Sequence, residues 1–343
     1  MIVHAGMVLL FLWFTVFFVF SLSSLAEGET RAFWRSLKVS AVLAVWIMAG
    51  LFNPVVELIG AVTVLLASIV LLTAILFSSR PSLSTRILHE QGRVDERDVI
   101  FARFDLTPFS DRIREYYDRR SGYEKTDESI RKLPDILSPE QMSRSPLYFS
   151  LAAAEFDYLE KQLSSVDGHV SDRLFEGSPE ENRSLIDRAL KYLGADIWGV
   201  CSLDQNYLYS HVGRGPAPYG QAIESSHRYA VVFAVAMDYE MIQAAPRPPV
   251  IVETAKRYVQ AADISIQMAF WLRRMGFGAR AHIAGSNYQA MLVPLAWKAG
   301  LGELGRMGVL ITPRFGPRVR LGLVTTEMPL TADEPIIFGV QDF

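Results

Sequence analysis

The first 78 residues of this 343-residue chain hold almost all of its long apolar runs. The three runs cover residues 2–25, 37–52 and 55–78. As a helix, the first run reaches roughly 35 Å at ~1.5 Å per residue, whereas the hydrocarbon core of a bilayer is ~30 Å thick. A cleaved signal peptide is the alternative for this run, but it would need a basic segment in front, and none precedes it. We therefore expect residues 1–80 to form a transmembrane anchor of three helices.

Basic residues near the runs predict how the anchor is oriented, because lysine and arginine are enriched in cytoplasmic loops. They lie between the first and second runs and after the third, at Arg31, Arg35, Lys38, Arg80 and Arg86. With three spans, both groups fall on one side. We expect a multi-pass protein of the cell inner (plasma) membrane whose soluble part faces the cytoplasm. A re-entrant pair formed by the second and third runs would remove this argument.

The composition of the remaining chain excludes several classes of site. One cysteine, Cys201, provides neither a disulfide framework nor a cysteine-rich metal or cluster site. The formal net charge of −3 argues against a nucleic-acid surface. No histidine pair has zinc-site spacing, and neither a phosphate-binding loop nor a nucleophile elbow is present. His211 and His282 could line a ligand pocket, although structural histidines with satisfied hydrogen bonds are the simpler interpretation.

Beyond the anchor, the pattern of polar and apolar residues changes near residue 180. Residues 81–180 are polar and helical in pattern, whereas residues 181–343 alternate between helix and strand periodicity. The predicted helices are 112–120, 150–163, 182–193, 253–275 and 289–299. The predicted strands are 197–201, 229–236, 279–283, 309–311 and 320–324. We expect an α/β (α+β) domain in which one mixed sheet is packed by helices.

Three glycines near the C-terminus match a dinucleotide-binding pattern in the wrong context. Gly300, Gly302 and Gly305 form G-x-G-x-x-G, but they follow a predicted helix rather than a strand. A nicotinamide site is therefore disfavoured. Glycines without Cβ atoms would let a flat, bulky ligand lie against the main chain. A plain tight turn is the alternative.

The predicted helix 253–275 carries two hydroxyl groups on a stripe that is otherwise small and apolar. Thr254 and Tyr258 are spaced at i, i+4 and share the stripe with Ala262 and Ile266. The apolar members indicate burial, where an unpaired hydroxyl costs ~1–3 kcal/mol. A core tyrosine bonded to a backbone carbonyl is the simplest interpretation.

Arg320 favours a chemical role for that tyrosine. It lies in a predicted strand otherwise suited to burial, and a buried guanidinium keeps its charge and must find an acceptor. A cation within ~4–6 Å of a phenol stabilises the phenolate. Paired with Arg320, Tyr258 would be a competent general acid.

Residues 92–343 resemble the reductive dehalogenase family. The resemblance rests on VDERDVIFAR (94–103), ETAKRYVQAA (253–262) and GLGELGRMGVLITPRFGPRVRLGLVTTEMPL (300–330). It implies that residues 181–343 form a nitroreductase-like, corrinoid-binding core and that residues 81–180 are its helical N-terminal extension.

The resemblance also assigns roles to residues of the core. It implies that Tyr258 donates a proton, that Thr254 lines the same cavity, and that Arg320 polarises the tyrosine and contacts the halogen. Asn287 corresponds to an asparagine found in some members. The implied cofactor-binding residues are Gly300, Gly302, Gly305, Arg306, Met307, Gly308, Thr312, Pro313 and Gly316.

The implied function is reductive dehalogenation of a small organohalide by base-off cob(I)alamin. The family also uses two 4Fe-4S clusters, whose cysteine ligands this chain lacks. FGVQDF (338–343) resembles the residues before the first cluster cysteine, so we expect a truncated chain. The electron donor would be reduced ferredoxin, flavodoxin or the membrane quinol pool. The alternatives are a non-catalytic corrinoid-binding protein and an enzyme like epoxyqueuosine reductase, which would need an acidic donor and a basic RNA surface.

Overall fold

The structure is a computed structural model that describes residues 2–26, 30–77, 92–106, 110–172, 175–284 and 288–340. Contacts within the chain divide it into two compact units, one in the first 81 residues and one in the rest. Each unit is described separately below.

The first unit is a bundle of three helices that pack against one another. They are α1 (Ile2–Ala26), α2 (Thr30–Phe52) and α3 (Pro54–Phe77). Trp13 Nε1 donates to Ser68 Oγ at 3.1 Å, which joins α1 to α3. Gly60 lets Trp46 approach, since a Cβ at this glycine would lie 3.0 Å from the indole ring. Small residues and interhelical hydrogen bonds of this kind hold membrane helices together.

All three helices are long and apolar enough to cross a membrane. The apolar segments are Met7–Ala26, Ala32–Phe52 and Pro54–Leu71. Many of their large side chains are exposed, for example Phe11 at 63% and Val45 at 66%. An apolar bundle with an apolar exterior is suited to lipid, so this unit associates with the membrane.

The second helix begins earlier than the sequence pattern indicated. It starts at Thr30 rather than near residue 37, so Arg31, Arg35 and Lys38 belong to its first turns and not to a connection. Basic residues interrupt an apolar run but are compatible with a helix, and long basic side chains can reach toward a membrane surface from its end. Arg80 and Arg86 lie outside the described residues.

In the second unit, short helices precede the α/β part. They are α4 (Ile100–Phe104), α5 (Asp111–Arg119), α6 (Glu124–Arg131), α7 (Pro139–Arg144) and α8 (Leu151–Lys161). Next comes α9 (Pro179–Leu193), which starts at a capping box between Ser178 and Glu181. It ends at Gly194, whose φ of 88° favours glycine.

The α/β part has a four-stranded sheet and a short hairpin. Its strands are β1 (Ile197–Ser202), β2 (Tyr229–Ala236), β3 (Ala279–His282), β4 (Glu303–Leu304), β5 (Leu310–Ile311) and β6 (Val319–Thr326). Its helices are α10 (Tyr239–Gln243), α11 (Pro249–Arg274) and α12 (Leu292–Lys298). The sheet order is β1-β2-β6-β3, and β4 pairs with β5.

The expected mixed sheet is wrong in one respect, because all the strand pairs in the described residues are antiparallel. Helix α11 connects β2 to β3, and these two strands do run in the same direction. However, β6 lies between them and is antiparallel to both. The alternation of helices and strands predicts that two strands joined by a helix run in the same direction. It does not predict which later strand lies between them in the sheet.

The core lies on both faces of this sheet. On one face, Phe233 packs with Leu190 of α9 and Leu272 of α11. On the other, Leu323 packs with Leu295 of α12. The Phe233 ring occupies the space beside Gly322, where a Cβ would lie 2.1 Å from the ring. Helix α11 is thereby packed against β6, and this contact positions the candidate site.

Candidate active site

Three residues that are distant in sequence meet where α11 crosses β6. Arg320 is the second residue of β6, and Thr254 and Tyr258 lie one turn apart on α11. Arg320 Nη2 donates to Thr254 Oγ1 at 3.2 Å. The Arg320 Cζ atom lies 5.0 Å from the centroid of the Tyr258 ring. The guanidinium is thus fixed by the threonine beside the face of the phenol.

The guanidinium of Arg320 can donate further hydrogen bonds. Its Nε is buried and has no hydrogen-bond partner within the described parts of the chain. A guanidinium does not lose its charge in a protein, and a buried polar atom without a partner costs ~1–3 kcal/mol. A cation held in this way is suited to an anionic or polarised atom of a ligand.

Arg320 and Tyr258 line a cavity of about 280 Å³, which we call the chamber, whereas Thr254 lies outside its lining. Tyr209, Tyr258, Tyr288 and Arg320 supply its polar groups. The remaining lining is Ala290, Leu292, Val293, Gly308, Val309, Leu310, Pro317, Val319 and Leu321. An apolar cavity with a few convergent polar groups is the usual form of a small-molecule site.

Tyr209 and Tyr288 were not predicted from the sequence. Burial raises the pKa of both hydroxyls. For Tyr288, nearby Tyr258 raises the pKa further, and the charges of Arg214 and Arg320 act in the opposite direction. Both phenols therefore remain protonated donors at neutral pH. The position of Tyr288 directly after Asn287 was a usable signal, since Asn287 was itself a candidate.

Of the predicted cofactor-binding residues, the chamber includes Gly308 alone. Its φ is 70°, and a Cβ at this position would meet nothing within 4 Å, so the backbone there is open to a ligand. Gly300 and Gly302 are needed for close packing within the protein. A Cβ atom added at these positions would lie 2.7 Å from Glu334 O and 2.1 Å from Ile311 O, respectively.

The other predicted cofactor-binding residues lie on turns outside the chamber lining. Gly305 closes the β4–β5 hairpin by accepting from Gly308 N–H at 2.9 Å, with Arg306 and Met307 exposed between them. Thr312 is buried and donates to Gly316 O at 3.0 Å, while Pro313 is exposed. Asn287 lies outside the described residues.

No set of three or more metal-ligating side chains occurs in the described ranges. Cys201 is buried, and burial raises the pKa of its thiol to about 12. This thiol is therefore inert at neutral pH.

Known proteins that are similar to this chain in sequence are reductive dehalogenases. No protein-family model matches the chain. The chain is 34% identical over 192 residues to the tetrachloroethene reductive dehalogenase of Sulfurospirillum multivorans, covering 48% of this chain and 38% of that protein. It is 32% identical over 202 residues to that of Dehalobacter restrictus, covering 48% of this chain and 36% of that protein. Over about half of its length, the chain is therefore similar to the reductive dehalogenase family.

Solved structures agree with this family. A catabolic reductive dehalogenase in complex with 3-bromo-4-hydroxybenzoic acid matches with a TM-score of 0.52 and 29% identity. The match covers 60% of this chain and 30% of that one. Epoxyqueuosine reductase matches with a TM-score of only 0.31 at 16% identity, which is too low to carry an argument. The chain spans less than two fifths of the reductive dehalogenases that it matches in sequence.

Proposed function

We propose that this chain is the corrinoid-binding and proton-donating part of a membrane-anchored reductive dehalogenase that acts on a small organohalide. The observation that supports the proposal most strongly is the contact of Arg320 with both Thr254 and Tyr258 at the wall of the chamber. The solved structure of another similar reductive dehalogenase suggests a mechanism for B12-dependent dehalogenation by that protein. We infer the same cofactor class for this chain.

The chamber fits one side of a large flat cofactor. Gly308 offers open backbone, and Val309 and Met307 beside it are 40% and 90% exposed. Pro317 and Leu321 continue the same wall. We assign this wall to the corrinoid, with the predicted glycines and Thr312 shaping the hairpin and loop that carry it. A bound, reduced corrinoid supplies the electrons that break the carbon–halogen bond.

The chain's own residues handle the proton and the charge. Two electrons and one proton convert the carbon–halogen bond into a carbon–hydrogen bond and a free halide ion. Tyr258 donates the proton from its hydroxyl to the carbon. Arg320 stabilises the resulting phenolate, and Thr254 keeps the guanidinium in place. The apolar lining excludes water, which strengthens these interactions.

These 343 residues do not contain the thiolate ligands of a four-iron cluster. A four-iron cluster needs four thiolates, and the sequence has one cysteine. We propose reduced ferredoxin, flavodoxin or a membrane quinol as the original source of the electrons. We also propose that α1, α2 and α3 all span the membrane and that the soluble unit faces the cytoplasm, since Arg35 and Lys38 lie near the start of α2.

Halide release by the cobalamin-loaded protein tests this function. The full chain in detergent micelles is loaded with cobalamin, reduced with titanium(III) citrate and supplied with trichloroethene or a bromophenol. We expect release of chloride or bromide faster than with an equal concentration of free cobalamin under the same conditions. Binding of cobalamin with no acceleration would instead support the non-catalytic alternative.

A further inference from the structure

Two histidines and a threonine form a hydrogen-bonded network that ends at Gln289. His282 Nε2 lies 2.9 Å from Thr325 Oγ1, and His227 Nδ1 lies 2.8 Å from the same oxygen. His282 and Thr325 are only 2% and 1% exposed, whereas His227 is partly exposed. At its inner end, the backbone N–H of Gln289 donates to His282 Nδ1 at 3.3 Å.

The Gln289 N–H fixes the direction of both hydrogen bonds made by the His282 ring. An amide N–H is a donor, so His282 Nδ1 must accept, and the neutral ring then carries its proton on Nε2. That proton goes to Thr325 Oγ1, and the direction of the bond between Thr325 Oγ1 and His227 Nδ1 depends on the tautomer of His227. An inward proton would have to reach His282 Nε2, which is already protonated. The network of His282, Thr325 and His227, which we call the brace, therefore holds Gln289 in place and does not relay protons.

The surroundings of His282 keep its ring neutral. Burial lowers its pKa well below the usual range, and the nearby charge of Arg280 and the neighbouring His227 lower it further. The pKa of His227 is also lowered by burial, and Glu327 opposes this effect. A neutral ring retains the lone pair that Gln289 needs.

The segment held by this brace carries two residues of the chamber wall, Tyr288 and Ala290. Gln289 is fixed on both sides, since its carbonyl accepts from Tyr209 N–H at 2.9 Å. Tyr288 precedes it and lines the chamber. Tyr288 also lines a second cavity of about 450 Å³, which Glu96, Asp167, Arg214, Glu224 and Arg280 make strongly polar.

We propose that neutral His282 is a positioning residue that holds Tyr288 as the partition between the chamber and the polar second cavity. Through its hydrogen bond to Gln289, His282 fixes the position of the Tyr288 ring. It thereby determines which substrates pass between the chamber and the second cavity. The proposal rests on the proposed function for the meaning of the chamber. The hydrogen bonds that hold Tyr288 in place form within the protein and do not depend on a bound cofactor.

Amide hydrogen exchange of the full chain in micelles, without cofactor, tests this positioning role. His282→Leu removes the acceptor at similar volume, whereas His282→Asn places an amide oxygen near the position of Nδ1. We expect His282→Leu to accelerate exchange at Gln289 by roughly tenfold, as loss of one buried hydrogen bond allows. Amides of β2 should be unchanged, and His282→Asn should restore most of the protection. The matched control is His169→Leu at an exposed histidine, which should change nothing at Gln289.

A second readout follows Tyr288 itself. In protein labelled with 3-fluorotyrosine, the ¹⁹F line of Tyr288 is the one that disappears in Tyr288→Phe. We expect that line to shift or broaden in His282→Leu and to return in His282→Asn. If His282→Leu does not fold, Thr325→Val provides the same test by removing the hydrogen-bond partner of His282 Nε2.

Two results would overturn the positioning role. One is unchanged exchange at Gln289 in His282→Leu, and the other is an equal acceleration at Gln289 and throughout β2, which would make His282 a general core residue. Cobalamin affinity is measured separately. If the wild-type chain bound no cobalamin, the proposed function would fail while the exchange result still decided the role of His282.

Discussion

Replacing Tyr258 with phenylalanine should slow dehalogenation by roughly a hundredfold to ten-thousandfold, the range typical of losing a general acid. The substitution removes only the hydroxyl. The ring keeps its contacts with Arg320 at 5.0 Å and with Phe156 at 6.3 Å between ring centroids. Cobalamin affinity should therefore remain at the wild-type level. Halide release and the absorbance of bound cobalamin, measured on the same preparation, separate the two effects.

A matched control for this variant is Tyr192→Phe, which removes the same atom from a tyrosine that is 89% exposed. It should retain the wild-type rate. Wild-type turnover in Tyr258→Phe would exclude the tyrosine as the proton donor. Tyr288, whose hydroxyl burial keeps protonated, would then be the next candidate.

Replacing Arg320 with methionine should change activity and stability in opposite directions. The guanidinium has a buried Nε without a partner in the described structure, and such an atom costs ~1–3 kcal/mol. Methionine keeps the length of the stem and removes this cost, but it also loses the hydrogen bond to Thr254, which contributes ~0.5–1.5 kcal/mol. The free energy of unfolding should therefore rise by about 1 kcal/mol. Turnover should fall by roughly a hundredfold to a thousandfold, as when one group that stabilises transition-state charge is lost.

Denaturant unfolding of the second unit, followed by tryptophan fluorescence, measures the effect on stability, and halide release measures the effect on activity. Arg188→Met is the matched control, because Arg188 is an exposed arginine of α9. It should leave both quantities within experimental error. Lower stability in Arg320→Met would show that the contacts of the guanidinium with Thr254 and Tyr258 outweigh the cost of its unpaired Nε, and it would contradict the account of Arg320 as a charge held for a ligand.

The central pair of the site could be predicted from chemistry and sequence pattern. A hydroxyl-bearing stripe on a long helix and an arginine in a buried strand each needed a polar partner, and the structure places Arg320 against Thr254 and Tyr258. The bounds of β2 were also predictable, since an unbroken apolar run of eight residues forms a buried strand.

The glycine-rich run at residues 300–308 shows why the sequence alone did not identify the residues of the chamber wall. The pattern does not distinguish a glycine needed for chain packing from one left open to a ligand. Gly302 is required because Ile311 O would lie 2.1 Å from its Cβ, whereas Gly308 faces open space. That difference depends on how β5 returns against β4, which is a tertiary contact.

The phenols of Tyr209 and Tyr288 were missed for a similar reason. Both lie in irregular segments without helix or strand periodicity, and they meet through the bridge between Leu208 and Ala290. The brace of His282 also depends on β3 pairing with β6, which brings Thr325 beside it. Pairings between distant segments are not encoded in local patterns.

Titration of cobalamin into the detergent-solubilised chain tests the corrinoid site in the chamber most directly. We expect saturable binding with the absorbance spectrum of base-off cobalamin. Val293→Trp, which fills the chamber, should weaken binding by about tenfold or more, equivalent to ~1.4 kcal/mol. Tyr192→Trp adds the same indole at an exposed position and should bind like the wild type. Absence of saturable binding, or equal affinity in the two tryptophan variants, would contradict a corrinoid site at this wall.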